Sequence, residues 1–347
     1  MEHKSLSELR RDLVTGDWVL IATGRAKRPD TFIKMERGKF NQSEELCPFE
    51  EPQKYGNPEP ILVYGKDGKR KLRDEWEKDK DNWFLQIIPN KFPAVNSGIC
   101  DQTHEVGPYL VMDGIGVHEV IITRDHAKHP ADFSLKEMEI LINAYKERYL
   151  VLKNQDCVRY ISIFYNHGRE SGASINHPHS QLIAIPIIPQ DIKRSLAGSE
   201  KYYINHKKCV HCVMLEWEIL DKERIVFENE LAIAFCPFIS RTAFEVRVFP
   251  KIHQPYFEQI NEKELEKFSE VLLVSLAKLN KGLKDPSYNF FVHTAPVEDN
   301  LKWHYYHWHI EIVPKTDIWA GFEVGTGIEV STIKPEKAAD FLRKVNV

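Results

Sequence analysis

The sequence predicts an α+β protein made of a duplicated unit, with mainly antiparallel sheet and one long helix in each half packed on it. Two observations support this prediction. The segment His177–Gln181 (HPHSQ) runs into an apolar stretch, and the segment His307–Glu311 (HWHIE) repeats its pattern of two histidines and a polar residue at alternate positions. Upstream of each segment, further features recur in the same order at similar spacing, which is typical of an internal repeat.

The repeated features are a strand-like segment, then a histidine, then a helix start. His126 lies eight residues before Ser134, and His253 lies eight residues before Asn261. Ser134 and Asn261 are helix-capping residue types, and each is followed three positions later by a glutamate that can close a capping box. From the cap to the paired histidines there are 43 residues in the first half and 46 in the second. We therefore expect two strand-borne walls, each carrying a His-x-His pair.

Each cap predicts an amphipathic helix whose apolar stripe belongs to the core. The stripe residues are Met138, Leu141, Ile142, Tyr145 and Tyr149 in the first helix and Leu265, Phe268, Leu272, Leu276 and Leu279 in the second. Strands are predicted at Trp18–Ile21, Leu85–Ile88, Tyr109–Met112, Tyr160–Phe164 and Phe290–Val292. The polar segment 190–208 predicts a linker. The expected domains are 1–195, which carries the first His-x-His pair, and 196–347.

Composition narrows the functional class. A chain of 347 residues can hold two domains with cores of their own. The net charge of −4 argues against a nucleic-acid partner. No apolar run is long enough to span a bilayer, so no membrane association is expected. The six cysteines are irregularly spaced, which favours a reducing compartment and hence a cytoplasmic protein.

The HPHSQ segment suits chemistry at phosphorus. In a strand, period-two geometry places His177, His179 and Gln181 on one face and Pro178 and Ser180 on the other. Neutral imidazole is a good nucleophile near pH 7, and a carboxamide can donate a hydrogen bond to a phosphoryl oxygen without titrating. The alternative is a pair of surface histidines beside a strand.

Two sets of metal ligands are predicted, one in each half. Cys209 and Cys212 form a C-x-x-C pair, and the repeat nominates His253 and His307 as the two histidines that complete a tetrahedral zinc set. The alternatives are a redox pair or two buried thiols.

The first half offers Cys47, Glu50, His126 and His177, in which a carboxylate replaces the second thiolate. The alternative is a structural cysteine beside a turn, with Glu44–Glu45 as competing ligands. We thus expect one or two structural Zn²⁺ sites. Zinc at His177 would fix the strand and thereby position His179.

Several segments along the chain match a known family. They are Arg25–Pro29, Asn90–Ala94, His118–Ile121, Asn166–Ser174, His177–Gln181, His307–His309 and Gly321–Glu323. Together they resemble the galactose-1-phosphate uridylyltransferase branch of the histidine-triad superfamily over nearly the whole chain. The C-x-x-C pair and Gly325–Gly327 resemble the ADP-glucose phosphorylase relatives. The resemblance implies two histidine-triad-like halves and a homodimer.

The resemblance also implies the chemistry. His179 would take UMP from a UDP-hexose as a covalent uridylyl-histidine and pass it to a second hexose 1-phosphate, in a double displacement. Gln181 would hydrogen-bond the α-phosphoryl oxygen. The substrates would be a nucleotide sugar and a sugar 1-phosphate. The implied binding residues are Arg25 and Arg28 for the phosphates, Asn90 and Phe92 for base and ribose, Asn166, Gly168 and Ser174 for the diphosphate, and Glu323 for the sugar.

Two other functions stay open at this point. The first is an ADP-sugar phosphorylase or related adenylyltransferase that moves AMP to phosphate. The second is a zinc-structured nucleotide-binding or regulatory protein without catalysis. His309 is unassigned: it is a spare wall residue, a metal ligand with His293, or a vestige of the duplication.

Overall fold

The computed structural model describes residues 7–22, 44–99, 103–297 and 302–347. The strands in these residues are β1 Glu8–Arg11, β2 Trp18–Ile21, β3 Leu62–Tyr64, β4 Leu85–Pro89, β5 His104–Val106, β6 Tyr109–Val111, β7 Val117–Thr123, β8 Tyr160–His167, β9 His179–Ile185, β10 Ile225–Glu228, β11 Ala232–Phe235, β12 Val246–Pro250, β13 Tyr288–His293, β14 His309–Pro314 and β15 Glu329–Ser331. The α-helices are α1 Arg73–Lys78, α2 Leu135–Leu152, α3 Gln190–His206, α4 Val210–Asp221, α5 Glu262–Leu283, α6 Gly321–Thr326 and α7 Pro335–Arg343.

Ten strands form one continuous sheet in the order β10-β11-β12-β14-β13-β8-β9-β7-β4-β3. Every neighbouring pair in it is antiparallel. The order reads the same from the centre outwards in both halves, so β8 corresponds to β13 and β9 corresponds to β14. The halves meet where β8 pairs with β13, with Tyr288 opposite His167. This arrangement confirms the predicted α+β class and the duplication.

The two long helices begin where the sequence predicts. Ser134 accepts a hydrogen bond from the backbone N–H of Glu137, and Asn261 accepts one from that of Glu264, each within a complete capping box. All ten predicted stripe residues are buried. Burial of each such side chain contributes about 1.5–3 kcal/mol, so α2 and α5 hold the core together on one face of the sheet. The walls lie on the opposite face.

The expected linker is wrong, because residues 190–206 form helix α3. Its buried side chains Ile192, Leu196 and Ser199 have helical spacing, a pattern that the surrounding charged residues obscure. The expected boundary between residues 195 and 196 falls inside this helix. A side chain at Gly198 would collide with the carbonyl oxygen of Val14, so this glycine lets the N-terminal segment pack closely on α3.

The predicted strands are present, with end positions that differ by up to three residues. The segment at Tyr109 is half of an exposed two-stranded hairpin with β5. The remaining three-stranded sheet joins β1 and β2 to β15, so the chain ends meet beside the second half. None of the helices within the described ranges has the length and apolar character needed to cross a bilayer.

Candidate active site

The first wall is strand β9, and its two faces separate as the sequence predicts. Ser180 hydrogen-bonds the hydroxyl of Tyr145 on helix α2. Gln181 points to the opposite side, where its Oε1 lies 2.9 Å from Nε2 of His118 on β7. His179 shares that side, because it lies two residues before Gln181 on the same strand. The wall is therefore formed by residues that face away from the helical layer.

The ring of His179 is held in a defined orientation. Its Nδ1 lies 2.8 Å from the carbonyl oxygen of His177, and because a carbonyl only accepts hydrogen bonds, Nδ1 carries the proton. Burial lowers the pKa of His179, which keeps the ring neutral. The edge of Phe49 contacts the ring at a centroid distance of 5.1 Å. The second nitrogen, Nε2, is thus unprotonated and available as a nucleophile.

The first predicted ligand set converges in the structure. Ligand atoms of Cys47, Glu50, His126 and His177 all lie within 4.8 Å of one another. Nε2 of His177 is 2.6 Å from the carbonyl oxygen of Thr123, so Nε2–H donates and Nδ1 faces the cluster. That buried Nδ1 receives no hydrogen bond from the described residues, and Oε1 of Glu50 lies 3.2 Å from it. A buried acceptor that faces a thiol and a carboxylate oxygen fits a bound metal ion.

The second predicted set also converges. Ligand atoms of Cys209, Cys212, His253 and His307 lie within 4.8 Å of one another. The Sγ of Cys212 is 3.3 Å from Nδ1 of His253 and 3.6 Å from Nδ1 of His307. Hydrogen bonds from Cys212, His253 and His307 lower the pKa of the Cys209 thiol. Nε2 of His253 donates to the carbonyl of His304 at 2.8 Å, so this histidine also turns Nδ1 to the cluster.

The expected nucleotide-binding residues lie on loops that border the wall. Asn90 follows β4, and its Nδ2 is 3.1 Å from Nε2 of His118. Phe92 is 82% exposed and available to a ligand. Its backbone N–H donates to Oδ1 of Asn90 at 2.9 Å, so the loop is closed on itself. His118 connects this loop to Gln181. The sequence alone did not assign it this role. Its position two residues before Val120 on a strand does predict that the two side chains lie on the same face of the sheet.

The glycine-containing loop after β8 approaches the wall from the other side. The register of β8 and β9 pairs Tyr165 with Ser180, which places Asn166 beside His179. Gly168 has a φ of +76°, which a side chain rarely adopts, and an added Cβ would also collide with Ser287. Ser174 is exposed on the segment that leads into the wall.

Of the three remaining expected contacts, only Glu323 can be located. Arg25 and Arg28 lie outside the described residues. Glu323 caps its own short helix α6 by accepting the backbone N–H of Ala320 at 3.1 Å. Residues on either side of that helix line a cavity in the second half. Glu323 therefore lies beside the second wall of its own chain.

The second wall has the same backbone geometry but different surroundings. Nδ1 of His309 lies 3.1 Å from the carbonyl oxygen of His307, as in the first wall. However, the ring is stacked between Phe249, at 4.4 Å, and His293, at 5.0 Å. Burial lowers the pKa of His309 to about 4. Glu311 stands where the first wall has a neutral amide.

Glu311 is locked in a buried ionic cluster. Arg241 contacts one carboxylate oxygen, and Nε of Arg247 is 3.1 Å from the other. Burial opposes ionisation, but these two guanidinium groups hold the pKa of Glu311 well below its usual range. The wall borders a cavity of about 420 Å³. His293, His309 and Glu311 form a third group with metal-ligand geometry, yet both oxygens of its carboxylate already bind arginine.

Two family profiles match the chain. A family profile described as "Galactose-1-phosphate uridyl transferase, N-terminal domain" matches residues 1–189. A second profile, "Domain of unknown function (DUF4921)", matches residues 101–345.

Two characterised relatives are similar over the full length. An ADP-glucose phosphorylase of Arabidopsis thaliana is 31% identical, over 98% of this chain and 93% of the relative. A galactose-1-phosphate uridylyltransferase of Thermotoga maritima is also 31% identical, over 99% of each chain. The crystal structure of an ADP-glucose phosphorylase from Arabidopsis thaliana with bound ADP-glucose superimposes with a TM-score of 0.79, at 28% identity, and covers 98% of this chain and 99% of that one.

Proposed function

This chain belongs to the galactose-1-phosphate uridylyltransferase family, and from that premise we propose that it transfers a UMP group between UDP-hexose and hexose 1-phosphate through His179. One observation carries the proposal. The carbonyl of His177 takes the Nδ1–H of His179, which leaves a buried, neutral ring with its Nε2 lone pair available for attack at phosphorus.

The reaction divides into two displacements. In the first, the lone pair of Nε2 attacks the α-phosphorus of UDP-hexose, the bond from that phosphorus to the bridging oxygen breaks, and hexose 1-phosphate leaves. In the second, a phosphate oxygen of another hexose 1-phosphate attacks the same phosphorus, and the N–P bond breaks to restore Nε2. Both the leaving and the entering oxygen belong to ionised phosphates, so neither step requires a strong acid or base.

The neutral side chains around His179 suit this chemistry. Gln181 places a carboxamide two residues beyond the nucleophile on the same face of the strand, where it hydrogen-bonds the α-phosphoryl oxygen as charge moves during each displacement. Asn166 approaches from the adjacent strand. A carboxylate at either position would repel the substrate phosphates.

The second candidate function is an ADP-sugar phosphorylase that moves AMP to phosphate. The Arabidopsis thaliana relative named ADP-glucose phosphorylase supports it at the same identity as the uridylyltransferase relative. The two activities share the histidine intermediate and differ in nucleobase and acceptor. Incubation with UDP-glucose and ADP-glucose, each labelled in the α-phosphate, distinguishes them. Acid-labile label on His179 from UDP-glucose is expected, whereas label from ADP-glucose alone would establish the phosphorylase.

We propose that both four-residue clusters hold structural Zn²⁺. The donor chemistry fits zinc, and in each cluster at least one histidine donates Nε2–H to a backbone carbonyl and turns Nδ1 inward. Zinc held by Cys47, Glu50, His126 and His177 would fix the segment that carries His179, without contacting substrate. Elemental analysis of the purified protein should find about two zinc ions per chain. One ion would leave the Glu50 cluster without metal.

We further propose that the protein is a homodimer in which each chain consists of two halves, 1–195 and 196–347, whose boundary falls within helix α3. The expected sugar contact, Glu323, lies beside the second wall of its own chain, so a second copy is needed to bring it to a His179 site. Light scattering of the eluted protein tests the assembly, and mixed dimers of His179→Ala and Glu323→Ala chains test whether activity returns across the interface. A cytoplasmic location stays a prediction.

A further inference from the structure

The two carboxamides that flank His179 are each held at their oxygen end. Oε1 of Gln181 lies 2.9 Å from Nε2 of His118. Oδ1 of Asn166 accepts a hydrogen bond of 2.7 Å from Nδ2 of Asn289, on the second half's strand β13. His118 and Asn289 are therefore candidates for positioning residues, a role that the proposed nucleotidyl transfer does not assign to them.

The hydrogen bonds around His118 determine its tautomer. The backbone N–H of Ala94 donates to Nδ1 at 3.0 Å, and because a backbone N–H cannot accept, Nδ1 is the unprotonated nitrogen. The ring proton is consequently on Nε2. Asn90 cannot take that proton, since its Oδ1 is occupied by the N–H of Phe92 and only its Nδ2 faces the ring. Oε1 of Gln181 is the remaining acceptor.

Asn289 determines the orientation of the Asn166 amide in a similar way. Its Nδ2 carries two protons; one goes to the carbonyl oxygen of Ser171 at 2.9 Å and the other to Asn166. A carbonyl only accepts, so Nδ2 and not Oδ1 of Asn289 must face this pair. Asn166 therefore presents its oxygen to Asn289 and keeps its own amino group for the site.

We infer that His118 and Asn289 orient Gln181 and Asn166 so that both carboxamides present N–H donors to the phosphoryl group held at His179. The inference rests on the proposed nucleotidyl transfer. With either amide reversed, an oxygen lone pair would face the anionic phosphoryl oxygens and raise the barrier of both displacements. Through the backbone N–H of Ala94, the same ring also connects the loop Asn90–Ala94 to the orientation of Gln181.

A matched pair of substitutions tests His118. In His118→Gln the terminal amide nitrogen replaces Nε2–H and can still donate to Gln181, whereas in His118→Asn the amide oxygen replaces Nδ1 and only the bond from Ala94 survives. The rate of labelling of His179 in a single turnover is measured with whichever of UDP-glucose and ADP-glucose labels the wild type. His118→Asn should lower it about 100-fold, with nucleotide-sugar affinity changed less than the rate. His118→Gln should recover most of the loss.

A double-mutant cycle separates positioning from general support of the fold. In the Gln181→Ala background, His118→Asn should have no further effect on the rate, because its target is gone. Additive losses, or equal losses in His118→Asn and His118→Gln, would overturn the inference for His118. If the wild type acquires no label from either donor, the proposed function fails, and that result is distinct from a failed cycle.

The tautomer of His118 can also be measured on the wild-type protein, so this test does not depend on how a variant folds. In ¹⁵N-histidine spectra, the resonances missing from His118→Gln belong to His118, and they should show a proton on Nε2 and none on Nδ1. A proton on Nδ1 would refute the orientation of Gln181.

The contact between Asn289 and Asn166 is tested with Asn289→Asp, which keeps the shape of the side chain and removes both N–H donors. The amide of Asn166 should then reverse, and the labelling of His179 should slow about 10-fold to 100-fold. The Asn166→Ala background should abolish that difference. A persistent loss in that background would show that Asn289 acts on the fold alone.

Discussion

The two walls have the same backbone geometry but different side chains around the second histidine. In both, the second histidine of the pair donates Nδ1–H to the carbonyl of the first, at 2.8 Å for His179 and 3.1 Å for His309. His179 is edged by Phe49 and surrounded by neutral amides, while His309 is stacked between two rings next to a buried ion cluster. The comparison shows that strand geometry determines which ring nitrogen of the second histidine carries the proton, whereas the neighbouring side chains determine the charge and the packing around the ring.

The largest expected difference concerns the nucleophile. His179→Ala should abolish acid-labile labelling and reduce turnover at least about a thousand-fold, because no other described side chain occupies the position of its Nε2. His309→Ala should retain labelling and lose about 1–3 kcal/mol of stability through the cavity between Phe249 and His293. Labelling and thermal unfolding of both variants check this. Label on the His179→Ala protein would contradict the assignment of His179 as the nucleophile.

The charge cluster of the second wall should dominate its stability. Glu311→Gln leaves Arg241 and Arg247 short of a buried partner, and we expect a loss of about 3–5 kcal/mol in the free energy of unfolding. The reciprocal change, Gln181→Glu, should affect the rate instead, because a carboxylate next to His179 repels the substrate phosphates. Denaturant titration and single-turnover labelling measure the two effects. A loss below about 1 kcal/mol in Glu311→Gln would contradict the structural role of this carboxylate.

The two sets of candidate metal ligands should differ in their effect on the labelling of His179. Cys212→Ser should lose one zinc ion and about 3 kcal/mol of stability, with a modest change in labelling rate. Cys47→Ser should also lose one ion but slow labelling more, because the ligand His177 directly orients His179. Cys236→Ser is the control, since this free, buried thiol belongs to neither cluster. Equal rates in the two ligand variants would remove the positional role of the first metal.

The smallest effect is a pH dependence in the second half. Burial, opposed by Arg241 and reinforced by Glu245 and Glu311, raises the pKa of Glu329 from 4.5 to about 7. The folded protein thus holds a proton that the unfolded chain releases near pH 4.5, so this group lowers stability progressively as pH rises from 4.5 to 7. Glu329→Gln should gain about 1–2 kcal/mol at pH 8 relative to pH 5, compared with wild type. Parallel unfolding curves at both pH values would refute this.

Local rules predicted much of the fold. The caps at Ser134 and Asn261, both helical stripes and the alternating faces of β9 depend on residues close in sequence, where spacing alone determines geometry. The linker between the halves was wrong because α3 buries only a few side chains, and its composition is dominated by the exposed ones.

In the candidate site, too, the predicted features depend on residue type and spacing, and the features that were missed depend on strand pairing. Both sets of candidate metal ligands, which converge in the structure, were predicted because the repeat supplied distant histidines for the cysteines of each half. His118, Asn289, Arg241 and Arg247 were not assigned roles, because their function depends on which strands lie side by side. Asn289 reaches Asn166 only through the pairing of β13 with β8, and no local pattern encodes that pairing.

The order of the residues alone predicts two related walls, a His-x-His pair at the start of an apolar strand, and the cysteines and histidines that could share a metal. These follow from periodicity and from the chemistry of single residue types. Only the tertiary structure decided which nitrogen of each histidine carries its proton, which way the amides of Gln181 and Asn166 point, and that His309 is enclosed. Those properties depend on hydrogen-bond partners and packed rings that are brought together by long-range strand pairing, so they exist only once the sheet has formed.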